Sequence, residues 1–125
     1  MHELKKEFTD KQEMYLKSIY LLAKRDKVAR VTDIADSLNV SKSTVSGMLK
    51  YLSDKELVNY DPYKFVVLTE KGSEVAQKLI EEYEVIKTFL EEYLGLPEAV
   101  AQNNACRMEH ILDAVVIESF KERLK

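Results

Sequence analysis

Between Val31 and Asp54, apolar residues recur at helical spacing in two runs broken by a polar turn. Ile34, Ala35 and Leu38 form the edge of a short helix, and Val45, Met48, Leu49 and Leu52 form the inward stripe of a longer one. Thr32 is expected to cap the first helix and Ser41 the second, because a hydroxyl there can accept from backbone N–H groups left unpaired at a helix start. Upstream, Thr9-Asp10-Lys11-Gln12 has capping-box spacing. It should open a helix that buries Tyr15, Leu16, Ile19, Tyr20, Leu22 and Ala23 and ends near Arg25-Asp26-Lys27. Val28 to Val31 then bridges into the helix–turn–helix, with the option of a short strand.

Past Asp54 the period changes. Leu57-Val58-Asn59-Tyr60 and Phe65-Val66-Val67-Leu68 are β-rich runs joined by Asp61-Pro62-Tyr63-Lys64, which predicts a hairpin. Thr69 should cap a long helix from Glu70 to Tyr93 or Leu94, with Val75, Leu79, Ile86, Phe89, Leu90 and Tyr93 as its stripe. Gly95 stops that helix, and Pro97 suits the first turn of the next, which should continue to about Leu112. Asp113 is expected to cap a last helix containing Val115, Val116, Phe120 and Leu124. Three helices followed by a hairpin make a winged helix. The expected fold is therefore mainly α, with a winged helix–turn–helix domain over residues 1–70 and an all-helical domain over 71–125. The back half carries more apolar surface than so short a chain can bury, so a two-fold homodimer is expected. A monomeric helical cap on the winged helix is the alternative.

Composition narrows the setting. No apolar run in the 125 residues approaches the length of a membrane span, and Met1–Lys6 is too polar to open a signal peptide. One cysteine excludes an intrachain disulfide, so a cytoplasmic location without membrane contact is expected. The net charge of −3 is unevenly spread. Through Tyr60 there are eleven Lys and Arg against nine Asp and Glu, and beyond it eight against thirteen. A front half so mildly basic needs a second copy for useful phosphate binding.

The start of the second helix–turn–helix helix points Ser41, Lys42, Ser43, Thr44, Ser46 and Gly47 outward. Short hydrogen-bonding side chains beside a lysine suit the major groove of double-stranded DNA. Tyr63 and Lys64, at the tip of the wing, could reach the sugar–phosphate backbone. An ordinary helical hairpin and a solvated turn have the same pattern. Near the end, Cys106, Glu109 and His110 stand at i, i+3 and i+4. On one helical face these three donors could hold a divalent transition ion, although glutamate beside histidine is also common on solvated faces. No Gly-rich phosphate loop and no paired catalytic groups in a pocket-like context are present, so an enzyme is not expected. A winged-helix regulator that responds to a small molecule or to oxidation of Cys106 stays open.

Taken together, Glu13-Met14-Tyr15-Leu16, the helix–turn–helix, Leu68-Thr69-Glu70-Lys71-Gly72 and Ala105-Cys106-Arg107-Met108-Glu109-His110 resemble the diphtheria-toxin-repressor family of iron-dependent repressors. Order and spacing are kept over nearly the whole chain. The resemblance implies a homodimer that binds a palindromic operator when loaded with metal, with residues 71–125 as the dimerisation and metal-binding domain. It places the activating metal on Met14, Cys106, Glu109 and His110. It also implies the short form without an SH3-like domain. The manganese-selective branch has carboxylates where Met14 and Cys106 stand. Two sulfur donors favour Fe(II) over Mn(II), with Co(II), Ni(II) or Zn(II) as possible surrogates. The family's second metal site falls on Tyr83, Lys87 and Gln102, and a protonated lysine there would repel an ion. The family's base-proximal residues fall on Ser41, Ser43, Thr44, Ser46 and Gly47, where a common proline and a common glutamine are replaced by Ser43 and Gly47.

Overall fold

The computed structural model describes residues 7–26, 28–61 and 65–124. It divides into two compact units, Met1–Gln77 and Lys78–Lys125, with the boundary inside a helix.

The first unit opens with α1 (Asp10–Asp26). The capping box forms as expected: Thr9 N–H donates to Gln12 Oε1 and Gln12 N–H donates to Thr9 Oγ1, both at 3.1 Å. Tyr15, Leu16, Ile19 and Leu22 are buried against α2 (Val31–Leu38) and the other elements of this unit. Thr32 does not cap α2. The helix starts two residues earlier, with Arg30 in the N-cap position and no side-chain cap. Val31 packs against the core as part of the first turn, which places Thr32 inside the helix and exposed. Asn39 ends α2 in the left-handed region (φ 57°), and Val40 N–H returns to Ala35 O at 3.0 Å. Asparagine tolerates that conformation better than most residues.

Ser41 caps α3 (Lys42–Asp54) as predicted, accepting from Thr44 N–H at 3.1 Å. Val45, Leu49 and Leu52 are buried, and Met48 lies at the edge of the core. The hairpin pairs β1 (Val58–Tyr60) with β2 (Val66–Leu68) in antiparallel register, Val58 opposite Leu68 and Tyr60 opposite Val66. Its alternation buries Val58 and Val66 and exposes Asn59 and Val67. The short strand at Val28–Val31 reduces to one bridge, Val66 N–H donating to Ala29 O at 2.8 Å. Pro62, Tyr63 and Lys64 lie outside the described residues, and so do Lys27 and Met1–Lys6.

Thr69 stitches the hairpin to α4 (Glu70–Thr88). Its hydroxyl accepts from Gly72 N–H at 3.1 Å and donates to Glu56 O at 2.7 Å, while its N–H donates to Leu57 O at 3.0 Å.

In the second unit the long helix does not stay α-helical to its end. After Thr88 it passes into a π-helical turn, Phe89–Tyr93, closed by Leu94 N–H on Phe89 O at 3.3 Å. Gly95, at φ 68°, then stops the chain as expected. Pro97 precedes α5 (Glu98–Met108) rather than opening it. Ile86, Leu90, Ala101, Ala105 and Ile117 form this unit's core. The Phe89 ring stacks on Phe120 at 4.2 Å and on Tyr93 at 4.9 Å. The helix predicted to reach Leu112 closes at Met108. His110 N–H and Ile111 N–H fold back on Arg107 O and Met108 O, the tighter i→i+3 pattern of a fraying end. Asp113 takes the N-cap position of α6 (Ala114–Arg123) by backbone conformation alone, with no side-chain cap bond. Among the described residues no helix is long and apolar enough to cross a membrane.

Candidate functional site

The residues singled out for metal fall in both units. Met14 lies on α1 in the first and is exposed. Cys106 sits in the last turn of α5 and is exposed, and Glu109 and His110 follow in the turn beyond it. Although α5 has ended, Glu109 keeps helical dihedrals (φ −59°, ψ −25°) and its N–H bonds Ala105 O at 2.9 Å. The carboxylate therefore stays about one turn along from Cys106. His110 Nε2 lies 3.5 Å from Glu109 Oε1, with the two side chains only 6% and 1% exposed. A charged carboxylate withdrawn from water this far is stabilised by a cation close by, such as an imidazolium or a metal ion. Neutral imidazole, carboxylate and thiolate are all competent ligands for a divalent transition ion, so the donor chemistry fits one.

The positions of the family's second metal site do not fit an ion. Lys87 Nζ is 3.1 Å from Glu91 Oε1, and the two side chains are mostly buried. That hydrogen bond holds the ammonium's pKa above its usual range, helped by the nearby charges of Glu98 and Glu84. A fixed positive charge already occupies the place. Burial raises the Tyr83 pKa, as do the negative charges of Glu84, Cys106 and Glu109, while Lys87 opposes them. Tyr83 therefore senses both the lysine cluster and the donor cluster. Gln102 is exposed on α5.

On α3, Lys42, Ser43, Thr44 and Gly47 are exposed and Ser46 is half-buried. Nothing stands within 4 Å of a Cβ placed on Gly47, so that position presents open backbone. Ser41 Oγ lies 3.1 Å from Ser43 Oγ and 2.7 Å from Thr44 Oγ1, a chain of hydroxyls around the helix start. Tyr63 and Lys64 fall outside the described residues.

Two further contacts in the first unit have no signal in the sequence pattern. The Tyr60 hydroxyl on β1 donates to Ser46 Oγ at 3.2 Å. The Arg30 guanidinium lies 4.9 Å from the centroid of the Phe65 ring, beside the wing. Both pair residues far apart in sequence, and no local pattern signals either.

A winged helix followed by an all-helical unit is the order of domains found in metal-dependent transcription regulators, the iron dependent repressors among them. The chain belongs to the iron dependent repressor family. Residues 7–66 match its N-terminal DNA binding domain and residues 69–125 its metal binding and dimerisation domain. It is 42% identical over 110 residues to an uncharacterized HTH-type transcriptional regulator of Methanocaldococcus jannaschii, covering 87% of this chain and 88% of that one. Among solved structures it is similar to the manganese regulator SloR, with 33% identity, a TM-score of 0.77 and 90% of this chain covered. It also resembles ScaR with bound Zn2+, with 27% identity, a TM-score of 0.77 and 90% covered. The chain spans about half the length of each of these two, 53%.

Proposed function

We propose that this protein is a repressor that binds operator DNA as a homodimer when a divalent transition metal, Fe(II) by preference, occupies Met14, Cys106, Glu109 and His110. The observation that carries this reading is the buried Glu109–His110 pair one turn beyond Cys106. Met14 enters through the resemblance. The thiolate and thioether favour Fe(II) over Mn(II), with Co(II), Ni(II) and Zn(II) as surrogates. The ion supplies compact positive charge and fixed coordination. Holding it restricts the arrangements open to the two recognition helices of a dimer, and DNA affinity rises with the fraction of molecules in the competent arrangement.

Residues 1–70 would serve as the DNA-binding domain. Ser41, Lys42, Ser43, Thr44, Ser46 and Gly47 face the major groove, and Tyr63 and Lys64 reach the backbone from the wing. Residues 71–125 would dimerise and hold metal. Tyr93, Leu94, Val100, Ile111 and Val115 support this, because each exposes at least 43% of its surface and Ile111 and Val115 expose about 70%. So much apolar surface on one small unit calls for a partner. Lys87 supplies the charge of a second ion, which leaves one activating metal per protomer.

The test is anaerobic titration of reduced protein with Fe(II) and with Mn(II), following binding to a palindromic segment of its own promoter region. Activation at lower Fe(II) than Mn(II) is expected. Glu109→Ala and His110→Ala should remain folded dimers and lose the metal response. Equal binding with and without metal, or metal-dependent binding by either variant, would overturn the assignment. Under the same conditions peroxide should not replace metal as the effector.

A further inference from the structure

The hydroxyls on the exposed face of α3 are not equivalent, and proton bookkeeping separates them. A serine hydroxyl has one proton and two lone pairs. Ser41 Oγ spends one lone pair on Thr44 N–H and has two hydroxyl neighbours, Ser43 and Thr44. It can accept from one of these and must donate to the other. One of Ser43 and Thr44 then keeps a proton for an outside partner, and reversing the chain passes that role to the other. This group can adapt to whatever faces it.

Ser46 is set differently. Its oxygen accepts the Tyr60 hydroxyl proton at 3.2 Å, across from the helix to β1. Tyr60 is half-buried and packed against the first unit's core, so its hydroxyl is held in place by the hairpin. Among the described residues, Tyr60 is the hydrogen-bond partner of Ser46. The serine's own proton is left for an external acceptor, and an oxygen that already accepts a hydrogen bond donates its proton more strongly.

We infer that Tyr60 is a positioning residue that commits Ser46 to donate a hydrogen bond to DNA. The inference rests on the docking mode proposed above. The partner is an acceptor-only atom: a purine N7 or a base carbonyl in the major groove, or a phosphate oxygen. A cytosine or adenine amino group opposite Ser46 is the weaker match, because it could use only the oxygen's remaining lone pair and would leave the serine's proton without an acceptor.

The experiment takes metal-loaded, full-length protein through selection from a randomised duplex pool. Affinities are then measured for the selected site and its single-base-pair variants, with wild type, Tyr60→Phe, Ser46→Ala and the double variant. Phenylalanine keeps the packed ring, and thermal unfolding verifies that the fold is retained. Each single variant should bind the selected site roughly two- to tenfold more weakly, the range one net hydrogen bond contributes. The double variant should bind no more weakly than Ser46→Ala alone. If the acceptor is a base, discrimination falls at one base pair of each half-site. If it is a phosphate, every duplex loses affinity by the same factor. Tyr60→Phe binding like wild type, or losses that add in the double variant, would overturn the inference and leave the proposed function standing. A wild type that binds no duplex with metal present would overturn the proposed function first and this inference with it.

Discussion

Replacing Gly72 by alanine should destabilise the winged helix, although the same change at an ordinary helical position does the reverse. Gly72 is the third residue of α4, and its φ is not in the left-handed region. On helix propensity alone alanine would gain about 1 kcal/mol there. Space decides otherwise. A Cβ on Gly72 would run into the Leu57 carbonyl oxygen, 3.0 Å from its carbon and 3.3 Å from Leu68 Cδ2. The Leu57 carbonyl cannot yield freely, because it accepts from Thr69 N–H. The helix cannot retreat freely either, because the Thr69 hydroxyl also donates to Glu56 O.

Two accommodations are open. Retreat gives up the two hydrogen bonds from Thr69 to Glu56 O and Leu57 O, at about 1 kcal/mol each, and staying put overpacks the contact at about 1–3 kcal/mol. Set against the propensity gain, the net loss is about 1 kcal/mol. In a unit of this size that lowers Tm by roughly 5 °C. Urea unfolding followed by circular dichroism measures it, with Gly47→Ala as control. Nothing stands within 4 Å of a Cβ at Gly47, so alanine there should raise stability by up to about 1 kcal/mol. A Gly72→Ala protein as stable as wild type, or more so, would refute the claim that α4 docks on Leu57 through its missing side chain.

Two further predictions concern the second unit. Lys87 has its pKa raised above the usual 10.5 by Glu91, so the pair's contribution is complete below that value and is lost as pH rises through the raised one. Half-buried Tyr83 is also raised above its usual 10.0, so the unfolded chain ionises first and stability again falls with rising pH. The urea midpoint should therefore hold up to about pH 10 and drop above it. The gap between wild type and Lys87→Met should narrow over the same range; a constant gap would mean that the Lys87–Glu91 pair does not contribute. Cys106→Asp replaces a soft donor by a hard one and should move preference from Fe(II) toward Mn(II) in the DNA-binding titration. An unchanged Fe(II)/Mn(II) ratio would remove Cys106 from the ligand set.

Local chemistry was legible in the sequence wherever one residue decides one backbone feature. Thr9 with Gln12, Ser41, Thr69 and Gly95 all act where their spacing places them, because capping and a positive φ depend on near neighbours. Thr32 misled for the same reason turned round. It is a good cap in isolation, but Val31 gains more by joining the first turn against the core. The closing of α5 at Met108 was hidden because Ala101, Ala105, Met108 and Leu112 keep helical spacing through the turn. Cys106, Glu109 and His110 could be grouped by spacing, whereas Met14 entered only by resemblance, since nothing local links α1 to α5. The Tyr60–Ser46 bond joins a strand to a helix fourteen residues away, and no periodicity encodes it.

The π-helical turn at Phe89–Tyr93 has a consequence for how chains of this kind can vary in length. A π turn is an α-helix carrying one surplus residue. Deleting any one of the five would restore the α ladder and rotate all that follows by about 100° around the helix axis. Leu94 and Leu96 would then leave their present bearings, Leu96 would lose its bond to Leu90 O, and Phe89 could no longer stack on both Tyr93 and Phe120. The segment acts as a counted spacer. Its composition is free to drift, but a one-residue deletion there redirects α5 and the donors at its end.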